Sequence, residues 1–532
     1  MDKPNFYLLG MILLLAIFSC KKSETLKDDP YAGGKAALGI KVSNAAPKPA
    51  SGTVGAEVVY QVSGLLNYKE KLKCYLNETE VQVIEVTDSS IKVKVPAGAS
   101  SGGLTIIIDG QIFFGPEFTI TGKIGIDPTF KATVGSNGTI NQILPLPNGN
   151  MLLVGGFTDF EKKASLKAPV NAIVLTSADG EFLPTLAAGA GVGGSLTSIL
   201  RLSNGQFMVA GTFTSYNKRK SIGGITRLNA NGSLDSAIVE VVNLTPLEPR
   251  NSYDTVAAYN GAVQGTINKI FSYKDKVIAI GGFMNYYQYF YERSTRDNKV
   301  IFPTRMESLL QLKPNGQLDS TYNFSLASGT SYERPNGFFN DAVMQGDGKI
   351  VVVGSFTRFQ GKNVNYITRI DQNGLVDPGF QVGSGADGAI ESIRYNASTG
   401  KFMVSGSFRN FNGKPANGLV MLNQNGTVDE SFKLGTLEGG NTSFVAQLSN
   451  GLILVTGSFT KYNGVVRQGF MILNGNGSLA DGYNNTGMFS GVIRDIYETI
   501  SPLGFPAVVM VGYINKFDNK SVGNIVRFTL RP

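Results

Sequence analysis

The chain has 532 residues, 42% hydrophobic and 17% charged, a composition that supports a sizeable core and excludes a disordered chain. Lys and Arg number 48 against 40 Asp and Glu, and the net charge of +8 includes no basic arm of the kind that grips nucleic acid. There is no histidine, which excludes His bases and His metal ligands, and the two cysteines make no disulfide framework.

At the N-terminus, Lys3 precedes an apolar run from Leu8 to Phe18, of signal-peptide length and too short for a comfortable membrane span. The run ends in Ala16-Ile17-Phe18-Ser19-Cys20. A small residue before a cysteine at this place resembles a bacterial lipobox. The resemblance implies a signal peptide of residues 1–19, acylation of Cys20, and a lipid anchor as the only membrane contact. A plain secretory signal or membrane anchor with an incidental cysteine is the alternative. Residues 20–35 are polar, with Lys21, Lys22, Glu24, Asp28 and Asp29, and read as a flexible tether. They are similar to the charged export segment of surface lipoproteins in bacteria with Sus-like (starch-utilisation-type) uptake systems. That implies an outer-membrane protein facing the cell exterior.

Residues 36–121 read as short strands separated by Gly, Pro, Asn and Asp turns, and Ser90 to Val95 alternates with period two. This suits a small β-sandwich. Pro49, Gly52-Thr53-Val54-Gly55, the stretch from Asp88 to Gly110 and Phe118 resemble the immunoglobulin-like IPT/TIG domain. Cys74 lies in an alternating strand and reads as a buried small hydrophobe.

From residue 122 to 532 one unit recurs. Phe157, Phe213, Phe283, Phe356, Phe408 and Phe459 each follow a glycine by two residues, and Gly512 leads a looser seventh copy. A repeat of roughly fifty residues built of short strands indicates a propeller or solenoid. In the fifth unit Ala389–Tyr395, Lys401–Phe408, Gly418–Asn423 and Thr427–Phe432 read as four antiparallel strands, and Asn425-Gly426 is a hairpin turn. The turns recur as NGSLD, NGQLD, NGLVD and NGTVD, ending at Asp235, Asp319, Asp377 and Asp429. These units resemble the delta-sixty β-propeller repeat, a family mostly of unassigned function. The last unit stops at its third strand, while Ile126 to Phe130 matches the fourth-strand segment Val376 to Phe380. The segment 126–130 is therefore expected to complete the last blade and close a seven-bladed ring, an open array being the alternative. The expected fold is all-β: a small immunoglobulin-like sandwich followed by a seven-bladed β-propeller.

Insertions mark the candidate site. The loop after Gly281 is longer than its counterparts, and so are the crossovers Glu240–Gly265 and Phe324–Asn340; in a propeller all three lie on one face. They carry Tyr286, Tyr287, Tyr289, Tyr291, Arg293, Arg296 and Arg305, with Tyr253, Asp254, Tyr259, Tyr332 and Arg334. Aromatic faces stack on sugar rings, and Arg and Asp satisfy hydroxyls. The same side chains also suit a partner protein, or simple packing of the insertions onto the ring. The paired aromatics Phe408/Phe411 and Phe459/Tyr462 belong to the repeat and read as packing. No nucleophile motif, calcium loop or Rossmann pattern is present, so no catalytic residue, metal or cofactor is expected. The expected function is capture of a glycan or other oligomeric nutrient beside a Sus-like transporter. A protein-binding or adhesion module, and a His-free carbohydrate-active enzyme using carboxylates or Tyr, are the alternatives.

Overall fold

A computed structural model describes residues 36–166 and 168–532; the signal segment, Cys20 and the tether lie outside the described residues. The first domain is a β-sandwich. One sheet is ordered Lys41–Val42, Glu57–Ser63, Ser90–Lys94, Gln82–Val86, and the other Ser51–Gly52, Gln111–Ile120, Gly102–Ile108, Lys73–Leu76, Thr79–Glu80. Alternation sends Val58, Tyr60 and Val62 inward from one sheet and Leu104, Ile106 and Ile108 from the other. Cys74 is a free, buried thiol in this core, and burial pushes it up to about 12, so it is inert.

Seven blades follow. Their inner strands are Ile140–Pro145, Val192–Arg201, Ala262–Tyr273, Phe339–Met344, Ile390–Asn396, Thr442–Gln447 and Ser490–Ile500. Each pairs antiparallel with a second strand, which pairs with a third. The fourth strand is shorter than the sequence suggests. In the fifth blade it shrinks from Thr427–Phe432 to a single bridge, Leu422↔Val428. The reason is the repeated aspartate: Asp429 Oδ1 accepts the Ser431 N–H and hydroxyl at 3.0 and 2.7 Å and turns the chain out of the sheet. The paired aromatics Phe408, Phe411, Phe459 and Tyr462 are all buried.

These turn aspartates also hold cations. Asp235 meets Arg227 at 2.7 Å, Asp377 meets Arg369 at 2.8 Å and Lys349 at 2.9 Å, and Asp429 meets Lys401 at 2.7 Å. Burial works to raise the carboxyls of Asp319, Asp377 and Asp429, but lysine, arginine and turn hydrogen bonds outweigh it and hold them below the usual range. Carboxyls depressed by folding stabilise the native state above their unfolded pKa of about 4 and lose that contribution as pH falls further. The thermal unfolding midpoint should therefore change little between pH 7 and 5 and fall steeply below about pH 4, and circular dichroism melts across this range would check it.

The ring closes through the N-terminal side of the domain. Ile124–Ile126 pairs antiparallel with Phe528–Leu530 at the edge of the last blade. The closing strand thus lies earlier than 126–130. Asp127 already belongs to the turn, its Oδ1 accepting the Thr129 N–H at 2.9 Å, and Pro128 has no N–H to donate to a ladder.

The repeated glycine is explained by a bulge. In every blade it pairs with the residue just before an extra, unpaired residue of the inner strand. Those extra residues are Asn141, Thr197, Asn268, Asn340, Glu391, Ser443 and Arg494. A Cβ on Gly354 would run into the Phe338 carbonyl, and one on Gly457 into that of Asn441. In the first four blades the bulged side chain clasps the next blade. Asn141 donates to the Leu196 carbonyl at 2.7 Å, Asn268 to Phe339 at 2.9 Å and Asn340 to Ile390 at 2.9 Å.

A second tier of acceptors lies one residue on. Gln142 accepts the Ile199 N–H (2.8 Å), Asp341 that of Ile393 (3.1 Å) and Asp495 that of Ile143 (3.0 Å). Asp341 also meets Lys269 at 2.7 Å and Arg394 at 2.5 Å. Arg394 reaches on to the Arg494 carbonyl (2.6 Å) and lies 4.7 Å over the Phe444 ring. One arginine of the fifth blade therefore touches the fourth, sixth and seventh.

The sandwich docks on blades six and seven. The Ser101 N–H and hydroxyl donate to the Asn485 carbonyl at 2.9 and 3.0 Å. Asn485 Nδ2 donates to the carbonyls of Ile120 (2.8 Å) and Ile124 (3.1 Å), and Arg467 Nη1 to that of Gly98 (3.0 Å). Arg467, Asn485 and Asn519 lie in loops between second and third strands or in crossovers, so the sandwich occupies the insertion-bearing face, across the ring from blade three.

Candidate functional site

The blade-three insertion continues the blade outward. The second strand, Lys276–Tyr289, runs for fourteen residues. Its first part pairs with Leu309–Leu312 inside the ring, and its last part, from Asn285, pairs with Ile301–Arg305. On the other side Ala262–Gln264 extends with it. The result is a projecting three-stranded tongue, more rigid than a loop because its backbone polar groups are paired.

Alternation along the tongue sorts the tyrosines. Tyr286 is core, 3% exposed; its hydroxyl donates to the Gly316 carbonyl at 2.9 Å and accepts the Leu318 N–H at 3.1 Å. Tyr259 is also 3% exposed and lies beneath the Arg227 guanidinium at 5.7 Å. The expectation that Tyr259 and Tyr286 face a ligand is therefore corrected: burial of their rings joins the blade-two and blade-three cores. Tyr287, Tyr289 and Tyr291 project on the opposite face as a half-buried ladder. Tyr287 and Tyr289 meet edge to face at 5.6 Å, while Tyr289 and Tyr291 stack at 6.0 Å, 18° from parallel. Burial raises the Tyr289 hydroxyl, and burial with the Asp254 charge pushes Tyr291 up to about 12; both stay protonated donors at neutral pH.

Two clefts flank the tongue. The first, about 360 Å³, lies between it and blade two, lined by residues 217–221, Asp254 to Val256, Tyr291, Arg296 and Lys299. Lys299 is almost buried, and its ammonium meets Asp254 at 2.8 Å and the Thr295 and Arg296 carbonyls at 2.8 and 2.9 Å. Arg219 approaches Asp254 at 3.6 Å, and Arg296 donates to Asn251 at 2.8 Å. The second cleft, about 500 Å³, lies toward blade four, lined by Arg305, Glu307 and residues 330–338. Its charges balance: Glu307 is shared by Arg305 at 3.3 Å and Arg334 at 3.9 Å, and Glu333 meets Arg358 at 3.2 Å.

The structure thus brings Asp254, Tyr291 and Arg296 together in one cleft and Arg305, Tyr332 and Arg334 in the other. Tyr287 and Tyr289 continue the ladder that begins at Tyr291. Tyr253, half exposed, and Arg293, over the Phe290 ring at 6.0 Å, line neither cleft. Sequence reasoning passed over Lys218-Arg219-Lys220, Lys299, Glu307 and Glu333. The first three stood in view as a basic run in the blade-two loop.

Comparison with known proteins supports the architecture. Residues 202–237, 345–380, 397–432 and 448–479 match DUF5122, a β-propeller domain of unknown function. Four stretches of the ring are thus similar to DUF5122 propeller repeats. They fall in blades two, four, five and six, each running through the repeated glycine to the end of its blade. The blades left out are the first, the third with its tongue, and the seventh with its split closure. Residues 15–116 match DUF5008, a domain of unknown function. None of the curated proteins matches the chain. Similar solved structures include an auxiliary nutrient binding protein from Bacteroides thetaiotaomicron, at 12% identity and TM-score 0.29, covering 93% of this chain and 99% of that one. Another of the same description, from Bacteroides ovatus, has 14% identity and TM-score 0.19, covering 69% and 94%. The Cps50 (Swd1) β-propeller domain from Myceliophteria thermophila has 11% identity and TM-score 0.38, covering 75% and 98%. At these scores the likenesses carry no argument about function.

Proposed function

We propose that this protein is a non-catalytic binding protein, lipid-anchored through Cys20 in the outer membrane and facing the exterior, that captures a glycan or other oligomeric nutrient for a Sus-like uptake system. The observation that carries the reading is the Tyr287, Tyr289, Tyr291 ladder, held between two polar clefts on a paired, projecting tongue. Stacked half-exposed rings offer apolar faces at little entropic cost, and clefts with placed donors orient a hydroxylated ligand. The lipobox-like sequence and the charged tether support the anchor, and the resemblance of the sandwich to an IPT/TIG domain supports a spacer role.

Affinity electrophoresis against a panel of polysaccharides tests the reading. Retention by a defined polysaccharide should weaken about ten-fold to a hundred-fold in Tyr289→Ala with Tyr291→Ala, as expected when two stacking platforms are lost. A second reading, docking of a partner protein, is favoured by a different observation. Ile238, Leu244, Leu247 and Phe302 are 74%, 76%, 95% and 65% exposed on the same lobe. Absence of retention by every polysaccharide would move the weight to that reading.

A further inference from the structure

The two clefts beside the tongue differ in charge, and the difference specifies a ligand class. The blade-two cleft gathers Lys218, Arg219, Lys220, Arg296 and Lys299 around the single carboxylate of Asp254. Five cations against one anion leave a surplus of four, half of the formal +8 of the whole chain. Asp254 is already committed between Lys299 and Arg219. Among the described residues, Arg296 has only the neutral Asn251 amide, and Lys218 and Lys220 make no ion pair. The arrangement is built. Asn217 and Lys218 sit at φ of 44° and 65° in a tight turn, with Tyr216 and Arg219 bridged across it, and Ser221 follows at 60°. The same left-handed turn recurs at Glu161-Lys162, Gln360-Gly361, Asn412-Gly413, Asn463-Gly464 and Asp518-Asn519, so the repeat supplies the turn, and blade two is distinct in placing three consecutive cations on it. Repulsion among cations in a concave site costs stability unless an anion offsets it, and the concavity concentrates the field on whatever enters. Tyr291 lines the same cleft and stacks on Tyr289, so a ring has an aromatic face beside the cations.

We infer that the cleft between blades two and three binds the anionic groups of an acidic polysaccharide, carboxylates of uronic acids or sulfate esters, while the sugar rings run along the tyrosine ladder. The inference rests on the glycan-capture reading and narrows it to acidic glycans. The balanced cleft on the blade-four side has no charge surplus and suits neutral hydroxyls of the same chain.

The test is affinity electrophoresis of the full-length protein in mild detergent, in gels holding polygalacturonate, heparin or amylopectin. Retention is expected in at least one of the two acidic gels and should weaken with added salt. Lys218→Gln with Lys220→Gln, two exposed turn residues, should reduce it about ten-fold or more, as expected for losing two charge-assisted contacts. Lys69→Gln with Lys71→Gln, which removes the same charge from the sandwich surface, should leave it intact. Polygalacturonate retention alone identifies a carboxylate ligand, and heparin retention that is lost when the heparin is desulfated identifies a sulfate. Equal loss in both double variants would mean diffuse attraction and would overturn the inference. Retention by amylopectin alone, lost in Tyr289→Ala, would overturn it too while leaving glycan capture standing. No retention in any gel would remove both.

Discussion

Arg527→Ala should destabilise the propeller by about 3–5 kcal/mol, the cost of stranding one partner of a buried ion pair. Arg527 is 1% exposed, in the third strand of the last blade. Its Nε meets Asp127 at 2.7 Å; Nη1 reaches Asp179 at 2.8 Å and the Ala178 carbonyl at 3.0 Å; Nη2 reaches the Thr129 hydroxyl at 2.9 Å. The guanidinium also lies 4.9 Å over the Phe130 ring. One side chain thus joins the end of the chain to the start of the ring and to blade one. Alanine leaves Asp127 buried without its cation. Arg527→Lys keeps the charge but not the planar fork, and should recover only part of the loss. The shift in the propeller's thermal midpoint, with trypsin cleavage at Lys123 and Lys131 on either side of the closing segment, measures the effect. An unchanged midpoint would mean that the three ladder pairs of Ile124–Ile126 hold the closure without help from this arginine.

Asp341→Asn should have the second largest effect. Burial works to raise the Asp341 carboxyl, but Lys269 and Arg394 outweigh it and hold it at about 2. Against an unfolded value of 3.8, that depression corresponds to about 2 kcal/mol of stability at neutral pH. The contribution is complete above pH 5 and disappears as pH falls through about 2. Asparagine keeps the shape but leaves Lys269 and Arg394 without their shared anion. The gap in melting temperature between the parent and Asp341→Asn should therefore be widest above pH 5 and narrow toward pH 2. Adding Lys269→Met should restore part of the loss by removing one unpaired charge. Asp495 works in the opposite direction, since burial raises its carboxyl despite Arg394. A gap that did not change with pH would show that the loss is one of packing and not of charge.

The blades were legible because the repeated glycine is a backbone requirement: Gly155, Gly211 and their counterparts each face a bulge where no Cβ fits. The bulges themselves were not legible. Asn141, Thr197, Asn268 and Asn340 look like ordinary polar strand residues, and their partners lie in the next blade some fifty or more residues away. The repeated aspartates were visible as turn formers, and their cations keep a spacing that was overlooked: an arginine eight residues earlier at Asp235 and Asp377, and a lysine 28 residues earlier at Asp377 and Asp429. At the candidate site, the insertions identified the face while the sorting of the tyrosines stayed hidden. Counting alternation from buried Phe283 would bury Tyr287, Tyr289 and Tyr291 and expose Tyr286. A bulge at Met284, where Gln264 and Gly265 pair with Asn285 and Phe283, inverts the pattern.

Docking of the sandwich has a mechanical consequence. When the chain is held at its N-terminal side and pulled by a load on the tongue, tension crosses the whole ring from blade three to blades six and seven. The entry strand, Ile124–Ile126, offers only three ladder pairs to resist it. Asn485 intercepts the load first, because its amide grips Ile120 and Ile124 while its carbonyl is held by Ser101, so force passes into the blade-six crossover as well as into the edge strand. Across the axis, Arg394 ties blades four to seven together. The propeller then behaves as a hoop under tension, with Asn485 as its strain relief.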